Sequence, residues 1–187
     1  MSAASSTAPK IQEIQGPVLI AGGAGYIGSH TTRLFRQLGI PTVVLDNLST
    51  GHRRFVQGPF ENVDLGDRAA LDRVFATHKP AAVVHFAAKT YVGESVTEPS
   101  KYYLENVHYT WNLLESMRAN GCRDIVFSSS CATYGNPVRM PIDESHPQLP
   151  ISPYGRTKLH MEHMLEDFSR KPTAVNRTNG IKCVSGK

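Results

Sequence analysis

No long apolar run occurs in this 187-residue sequence. Nothing in it approaches the roughly 20 consecutive apolar residues of a membrane-spanning helix, so no membrane partner is expected. Cysteine is scarce, and its three positions, Cys122, Cys131 and Cys183, are odd in number and lack metal-ligand or redox spacing. That argues against a disulfide framework and for a reducing compartment, read as the cytoplasm. No charge run exceeds Arg53–Arg54, and the 20 Lys and Arg are dispersed among 16 Asp and Glu for a net charge of +4. A diffuse surplus of this kind makes no footprint for a phosphate backbone, so no nucleic-acid partner is expected. His85, His160 and His163 stand without carboxylate or cysteine companions, and no metal site is assigned. The opening sixteen residues have neither an apolar central segment nor an arginine. They match neither a secretory signal nor an organelle transit peptide and read as a disordered tail.

What the sequence does contain, from Pro17 on, is an alternation of two segment types. Short apolar runs occur at "PVLIA" (17–21), "PTVVLD" (41–46), "AAVVHF" (81–86) and "DIVFSSS" (124–130), with a weaker one at "FENVD" (60–64). Helical spacing lies between them. Ile27, Leu34, Phe35 and Leu38 share one face, as do Leu71, Val74 and Phe75. From Ser100 to Asn120, Leu104, Val107, Trp111, Leu114 and Met117 form a stripe, and Trp111 is expected in the core. Strands that are apolar throughout and alternate with helices indicate a parallel sheet covered on both faces. The fold class is therefore α/β, a doubly wound parallel sheet, Rossmann-like, over 17–170. Residues 171–187 read as an atypical tail carrying part of a sixth strand.

The first apolar run feeds "AGGAGYIGSH", with glycines at 22, 25 and 28. In such a turn Gly22 permits the sharp bend, Gly25 permits close approach of a pyrophosphate, and Gly28 lets the following helix pack on the sheet. The pyrophosphate then meets free N–H groups at a helix N-terminus. Asp46 ends the second run, 18 residues beyond Gly28. A carboxylate there accepts ribose hydroxyls and repels a 2′-phosphate, which favours NAD over NADP.

A second informative stretch is "SPYGRTKLHMEHMLEDF". Pro153 opens a helix, and Tyr154 and Lys158, four apart, project from one face. A phenol is a poor base at neutral pH, and a nearby ammonium favours the phenolate, so the pair makes a proton shuttle for a sugar or alcohol hydroxyl. Ser130, in "FSSSCATYG" at the carboxyl end of the fifth strand, adds a hydroxyl beside it.

Together the segments "GGAGYIGSH", "LDNLSTGHRR", "VDLGD", "VVHFAA" followed by "VGESV", "NV", "SSSCATYG" and "SPYGRTK" occur in order over 17–170. This pattern resembles the extended short-chain dehydrogenase/reductase family, in its epimerase/dehydratase branch. The resemblance implies a bound NAD, with Tyr26 and Ile27 beside the pyrophosphate and Asp46 and Asn47 at the adenosine ribose. It implies Asp64 and Leu65 at the adenine, and Phe86, Ala87, Ala88 and Thr90 along the nicotinamide side. It further implies 4-epimerisation of a UDP-sugar, UDP-glucose/UDP-galactose, through a 4-keto intermediate, and so a place in galactose metabolism. Tyr154 is then the base, Lys158 its electrostatic partner and Ser130 a partner to the sugar oxygen. Segments 100–120 and 153–170 match the pairing helices of full-length relatives, which points to a homodimer.

The pattern departs from the family at Ala21, usually threonine, at Thr90, often lysine, and at Glu105, often asparagine. After Phe168, "SRKPTAVNRTN" reads as an insertion and "GIKCVS" as the start of a sixth strand, with the nucleotide-sugar lobe absent. The chain is then either a fragment or a truncated gene product, expected to bind NAD weakly and turn over little. UDP-arabinose/UDP-xylose 4-epimerisation stays open, as does an NAD-binding module without turnover. A 4,6-dehydratase is disfavoured, because Cys131 and Ala132 stand where that chemistry places acidic residues.

Overall fold

The computed structural model describes residues 15–169 and a strand at 182–186. Residues 1–14 of the tail expected at 1–16, and residues 170–179 of the insertion expected at 169–179, lie outside the described residues. Six strands form one sheet: β1 (Val18–Ala21), β2 (Thr42–Leu45), β3 (Phe60–Glu61), β4 (Ala82–His85), β5 (Asp124–Ser128) and β6 (Lys182–Gly186). Their order is β3-β2-β1-β4-β5-β6, and every pairing is parallel. This is the doubly wound order, with a switch of direction between β1 and β4. β6 pairs with the full length of β5, from Asp124↔Lys182 to Ser128↔Gly186.

Six α-helical segments connect the strands: α1 (Tyr26–Gln37), α2 (Arg68–His78), α3 (Val92–Thr97), α4 (Pro99–Tyr102), α5 (Tyr109–Ala119) and α6 (Pro153–Ser169). Asp67 caps α2 by accepting from the Ala70 N–H at 2.9 Å, and Lys79 ends it in the left-handed region. The larger core lies on the face covered by α2, α5 and α6. There Leu19, Val43, Leu45, Val83, Ile125 and Phe127 pack against Leu71, Phe75, Leu114, Met117 and Met161. The opposite face has a small cluster of Val18, Ile20 and Val84, backed by Phe35, Ile40 and Phe86. Val126 on that side of β5 is 43% exposed.

Two helical stripes differ from expectation. Ile27, Leu34 and Leu38 do share a face of α1, but it is the exposed one. α1 instead buries Gly28 and Thr32, because small residues let the helix axis sit close to β1. The segment expected as one helix over 100–120 contains a π-helical turn, Tyr103–His108, between α4 and α5. A π-turn adds a residue to the repeat and rotates what precedes it. Tyr102, Asn106 and Thr110 therefore face inward, while Leu104 and Trp111 are 49% and 42% exposed. Leu114 and Met117 are buried as expected.

The unequal covering of the two faces predicts unequal mutational cost. Val84→Thr is expected to destabilise by about 2 kcal/mol through a buried hydroxyl, and Val126→Thr to stay within about 0.5 kcal/mol. Urea unfolding followed by circular dichroism checks both.

Candidate functional site

β1 runs directly into the glycine turn. Gly22 has φ +81°, and a Cβ there would lie 2.6 Å from the Ala87 backbone nitrogen, so neither the turn nor the approach of the β4 loop tolerates a side chain. A Cβ on Gly28 would overlap the Gly22 carbonyl oxygen, which fixes how closely α1 starts against the turn. Gly25, the residue before α1, has extended backbone and gives the helix no side-chain cap. The first-turn N–H groups are left without a side-chain acceptor at the positive end of the helix.

Asp46 continues β2 and is buried. One carboxylate oxygen accepts from the Ala24 N–H at 2.9 Å and the other from the Leu48 N–H at 2.8 Å. It thereby joins the glycine turn to the β2 loop and holds a fixed negative charge between them. Asn47 donates to Asp64 at 2.6 Å, and Asp64 also accepts from the Gly66 N–H at 2.6 Å. These loops surround an open cleft at the carboxyl ends of the strands. Its lining brings together Gly22, Gly25, Asp46, Asn47, Leu65, Phe86, Ala87 and Ala88.

Five residues expected at a cofactor are not among the residues lining this cleft. Tyr26 and Ile27 are exposed on the first turn of α1, and Gly28 is buried in packing. Asp64 reaches the cleft only through Asn47, and Thr90 is exposed while its neighbour Lys89 lines the cleft. Lys89 pairs with Glu105 at 3.4 Å across the opening.

The Ser130, Tyr154 and Lys158 group lies outside this lining, just after β5 and on α6. Tyr154 and Lys158 are both buried on the first turns of α6. Lys158 Nζ donates to the Ser128 carbonyl at 3.0 Å and lies 4.8 Å from the Phe127 ring centroid. Burial lowers its ammonium to about 8, and the charge of Glu162 opposes that shift. Lys158 therefore keeps its proton at neutral pH. Ser130 precedes a short 3₁₀ turn, and its hydroxyl accepts from the Ala132 N–H at 3.2 Å.

Asn106 joins the cleft to this group. It accepts from the Lys89 N–H at 2.7 Å and donates to the Lys89 carbonyl at 3.0 Å and to Thr157 at 3.1 Å. Thr157 in turn donates to the Tyr154 carbonyl at 2.8 Å. Apolar periodicity gives no sign of this role, since the π-turn sets which side of the segment faces inward. Ser49 and Thr50, which also line the cleft, stand in the quoted "LDNLSTGHRR" and were available as a hydroxyl-rich loop after Asp46. Among the described residues, no three His, Cys, Asp or Glu side chains converge on a metal position.

A cleft at the switch point, built on a glycine turn with a carboxylate ending β2, defines a dinucleotide-binding α/β protein of the doubly wound class. Comparison with known proteins narrows this: residues 18–183 match the NAD dependent epimerase/dehydratase family, and the chain belongs to it. It is 54% identical over 154 residues to a UDP-glucose 4-epimerase of Rhizobium leguminosarum bv. trifolii, covering 82% of this chain and 47% of that protein. It is 43% identical over 168 residues to a probable UDP-arabinose 4-epimerase of Oryza sativa subsp. japonica, covering 84% of this chain and 40% of that protein. The crystal structure of UDP-glucose 4-epimerase from Brucella ovis in complex with NAD superposes with a TM-score of 0.85 at 50% identity, covering 91% of this chain and 50% of that one. The chain spans about half the length of the curated relatives it matches.

His85 gives the site a pH signature. Its ring is buried between β5 and the long helical segment; Nε2 is 2.9 Å from the Thr110 hydroxyl, and Nδ1 has no hydrogen-bond partner. Burial, reinforced by the Lys158 charge, lowers its pKa to about 3. The unfolded chain, with an ordinary imidazole, takes up the proton first as pH falls. The stability from neutral His85 is thus full above about 6.5 and is lost towards 3, at roughly 1.4 kcal/mol per pH unit. His85→Gln is expected to flatten the acid limb of stability against pH relative to the parent chain, measured by urea unfolding from pH 7 to 4.5.

Proposed function

We propose that this chain binds NAD across the carboxyl edge of its sheet and supplies the proton-transfer groups for 4-epimerisation of a UDP-sugar, with UDP-glucose/UDP-galactose as the substrate pair. The observation that carries this reading is the cleft itself. It is open where a dinucleotide backbone would pass and negatively charged where its ribose would lie, and it is tied through Asn106 to the helix bearing Tyr154 and Lys158. The residues fit the cofactor: a Cβ at Gly25 would meet only the Gly22 oxygen, at 3.3 Å, so that side of the turn is accessible. Gly22, Gly25 and the first turn of α1, with Tyr26, Ile27 and Gly28, would hold the pyrophosphate. Asp46 and Asn47 would hold the ribose, Asp64 and Leu65 the adenine end, and Phe86 to Thr90 the nicotinamide end. Bound NAD supplies a reversible hydride acceptor.

The chain's own residues handle the proton. Tyr154 takes it from the sugar 4′-hydroxyl and returns it after the sugar has presented its other face. Lys158 Nζ, fixed by the Ser128 carbonyl, places a positive charge one helical turn from that phenol and stabilises the negative charge developing there. Ser130 donates to the same sugar oxygen. The UDP-glucose 4-epimerase of R. leguminosarum, at 54% identity, supports UDP-glucose as the sugar. The probable UDP-arabinose 4-epimerase of O. sativa, at 43%, keeps the arabinose pair as a second reading. Cytoplasmic placement belongs to the same proposal and is supported by the unpaired Cys122 and Cys131.

The test is equilibrium binding of NAD and NADP to the 187-residue chain, together with conversion of UDP-galactose to UDP-glucose. NAD is expected to bind detectably and in preference to NADP. Asp46→Asn is expected to weaken NAD binding by about 10- to 100-fold, the effect of removing a charged hydrogen-bond acceptor. Absence of NAD binding, or equal affinity for NADP, overturns the reading. Conversion is expected to be slow, because these proteins are about twice the length of this chain.

The proposal includes a homodimer. Tyr103, Leu104 and Trp111 are exposed along one surface of the 99–119 segment, with His108 stacked on Trp111 and Tyr103 against His160 of α6. A second copy packing two helical segments against two would bury these aromatics. Sedimentation equilibrium is expected to show a dimer for the parent chain and a monomer for Trp111→Glu; a monomeric parent at tens of micromolar rejects this assembly.

A further inference from the structure

Glu162 is 6% exposed, although an isolated buried carboxylate is costly. It follows Tyr154 and Lys158 on α6 at intervals of four, so the three share one helix face. Its two oxygens serve different segments: one accepts from the Ser129 hydroxyl and the other from the Gln148 amide at 2.8 Å. Ser129 sits between Ser128, whose carbonyl holds Lys158 Nζ, and Ser130. Gln148 belongs to the segment that leads from the 3₁₀ turn into α6. One carboxylate thus fastens both flanks of the Ser130 turn to the helix that carries Tyr154 and Lys158.

We infer that Glu162 is a positioning residue for proton transfer: it clamps the Ser128–Ser130 turn onto α6 and balances the buried ammonium of Lys158, fixing Ser130, Tyr154 and Lys158 relative to one another. This rests on the reading of those three as the reacting groups. An apolar side chain of the same size would fill the space, but it would neither accept from Ser129 nor oppose the lysine charge. The groups facing Lys158 support the second role. Phe127 and the Ser128 carbonyl face it from β5, His85 interacts with it from β4, and Tyr154 and Glu162 flank it on α6. His85 is held neutral, and Glu162 is the group whose charge favours the protonated lysine against burial.

Both roles are measurable on the ligand-free chain by NMR. The Lys158 Cε resonance, assigned by its loss in Lys158→Met, is titrated in the parent chain and in Glu162→Gln. The midpoint is expected to fall by roughly one pH unit when the neighbouring charge is removed. An unchanged midpoint in folded Glu162→Gln overturns the inference. Ser129→Ala keeps the carboxylate and removes one donor, so it remains informative should Glu162→Gln not fold. Its Lys158 midpoint is expected to hold while amide exchange at Ala132 rises about tenfold, as expected for loss of one charge-assisted hydrogen bond. Unchanged exchange there also overturns the inference. Failure of the parent chain to bind NAD would overturn the functional reading without altering either result.

Discussion

The close seating of α1 on the turn after β1 is the constraint on which the site depends. Gly28 has no room for a Cβ against the Gly22 carbonyl, and Gly22 has none against the backbone of Ala87. β1, α1 and the β4 loop are therefore held at backbone contact distance. Asp46 extends the same junction to β2 by accepting from Ala24 and Leu48. Packing at this density leaves little freedom to relax. The cleft is consequently a product of strand order and glycine placement, and the side chains lining it decorate a shape already set by the backbone.

Beyond the cleft, the surroundings of Ser130, Tyr154 and Lys158 are organised by a different means, buried polar and charged groups. Lys158, His85, Asn106, Thr157 and Glu162 are all buried, and each has a named partner. Such networks are costly when half-made, and here the buried Nδ1 of His85 is the atom left without a hydrogen-bond partner. Burial keeps His85 neutral and leaves Lys158 charged at neutral pH, so Lys158 carries the positive charge of this pair.

The sheet and most of the cleft were legible in the sequence, because both follow from local rules. Apolar runs at 17–21, 41–46, 81–86 and 124–130 contain β1, β2, β4 and β5, and the residues that end them stand at the carboxyl edge. The spacing from Gly28 to Asp46 likewise follows from the length of one helix and one strand. Helix facing was less legible. In α1 the apolar residues Ile27, Leu34 and Leu38 lie outward, since contact with β1 selects for small volume at Gly28 and Thr32 instead of hydrophobicity. In the 99–119 segment a 3.6-residue period places Leu104 and Trp111 inside, but the π-turn inserts a residue and turns Asn106 inward in their place. No residue type marks a π-turn in advance. Its presence follows from the bonds Asn106 makes with Lys89 and Thr157, which are 17 and 51 positions away in the chain.

That π-turn also explains how the cleft is joined to the helix bearing Tyr154 and Lys158. An uninterrupted α-helix over 99–119 would place Asn106 and Leu114 roughly 80° apart around its axis, since eight residues at 100° each make two turns and 80° more. The extra residue lets one element satisfy two demands. Its C-terminal half buries Leu113, Leu114 and Met117 in the main core, while its N-terminal half turns Asn106 towards Lys89 on one side and α6 on the other. Displacing Asn106 would leave the half-buried Lys89 backbone without both of its side-chain bonds and the buried Thr157 hydroxyl without a donor, the latter a polar group that is expensive to strand. The wider turn thus lets one side chain bond both the loop bounding the cleft and the helix bearing Tyr154.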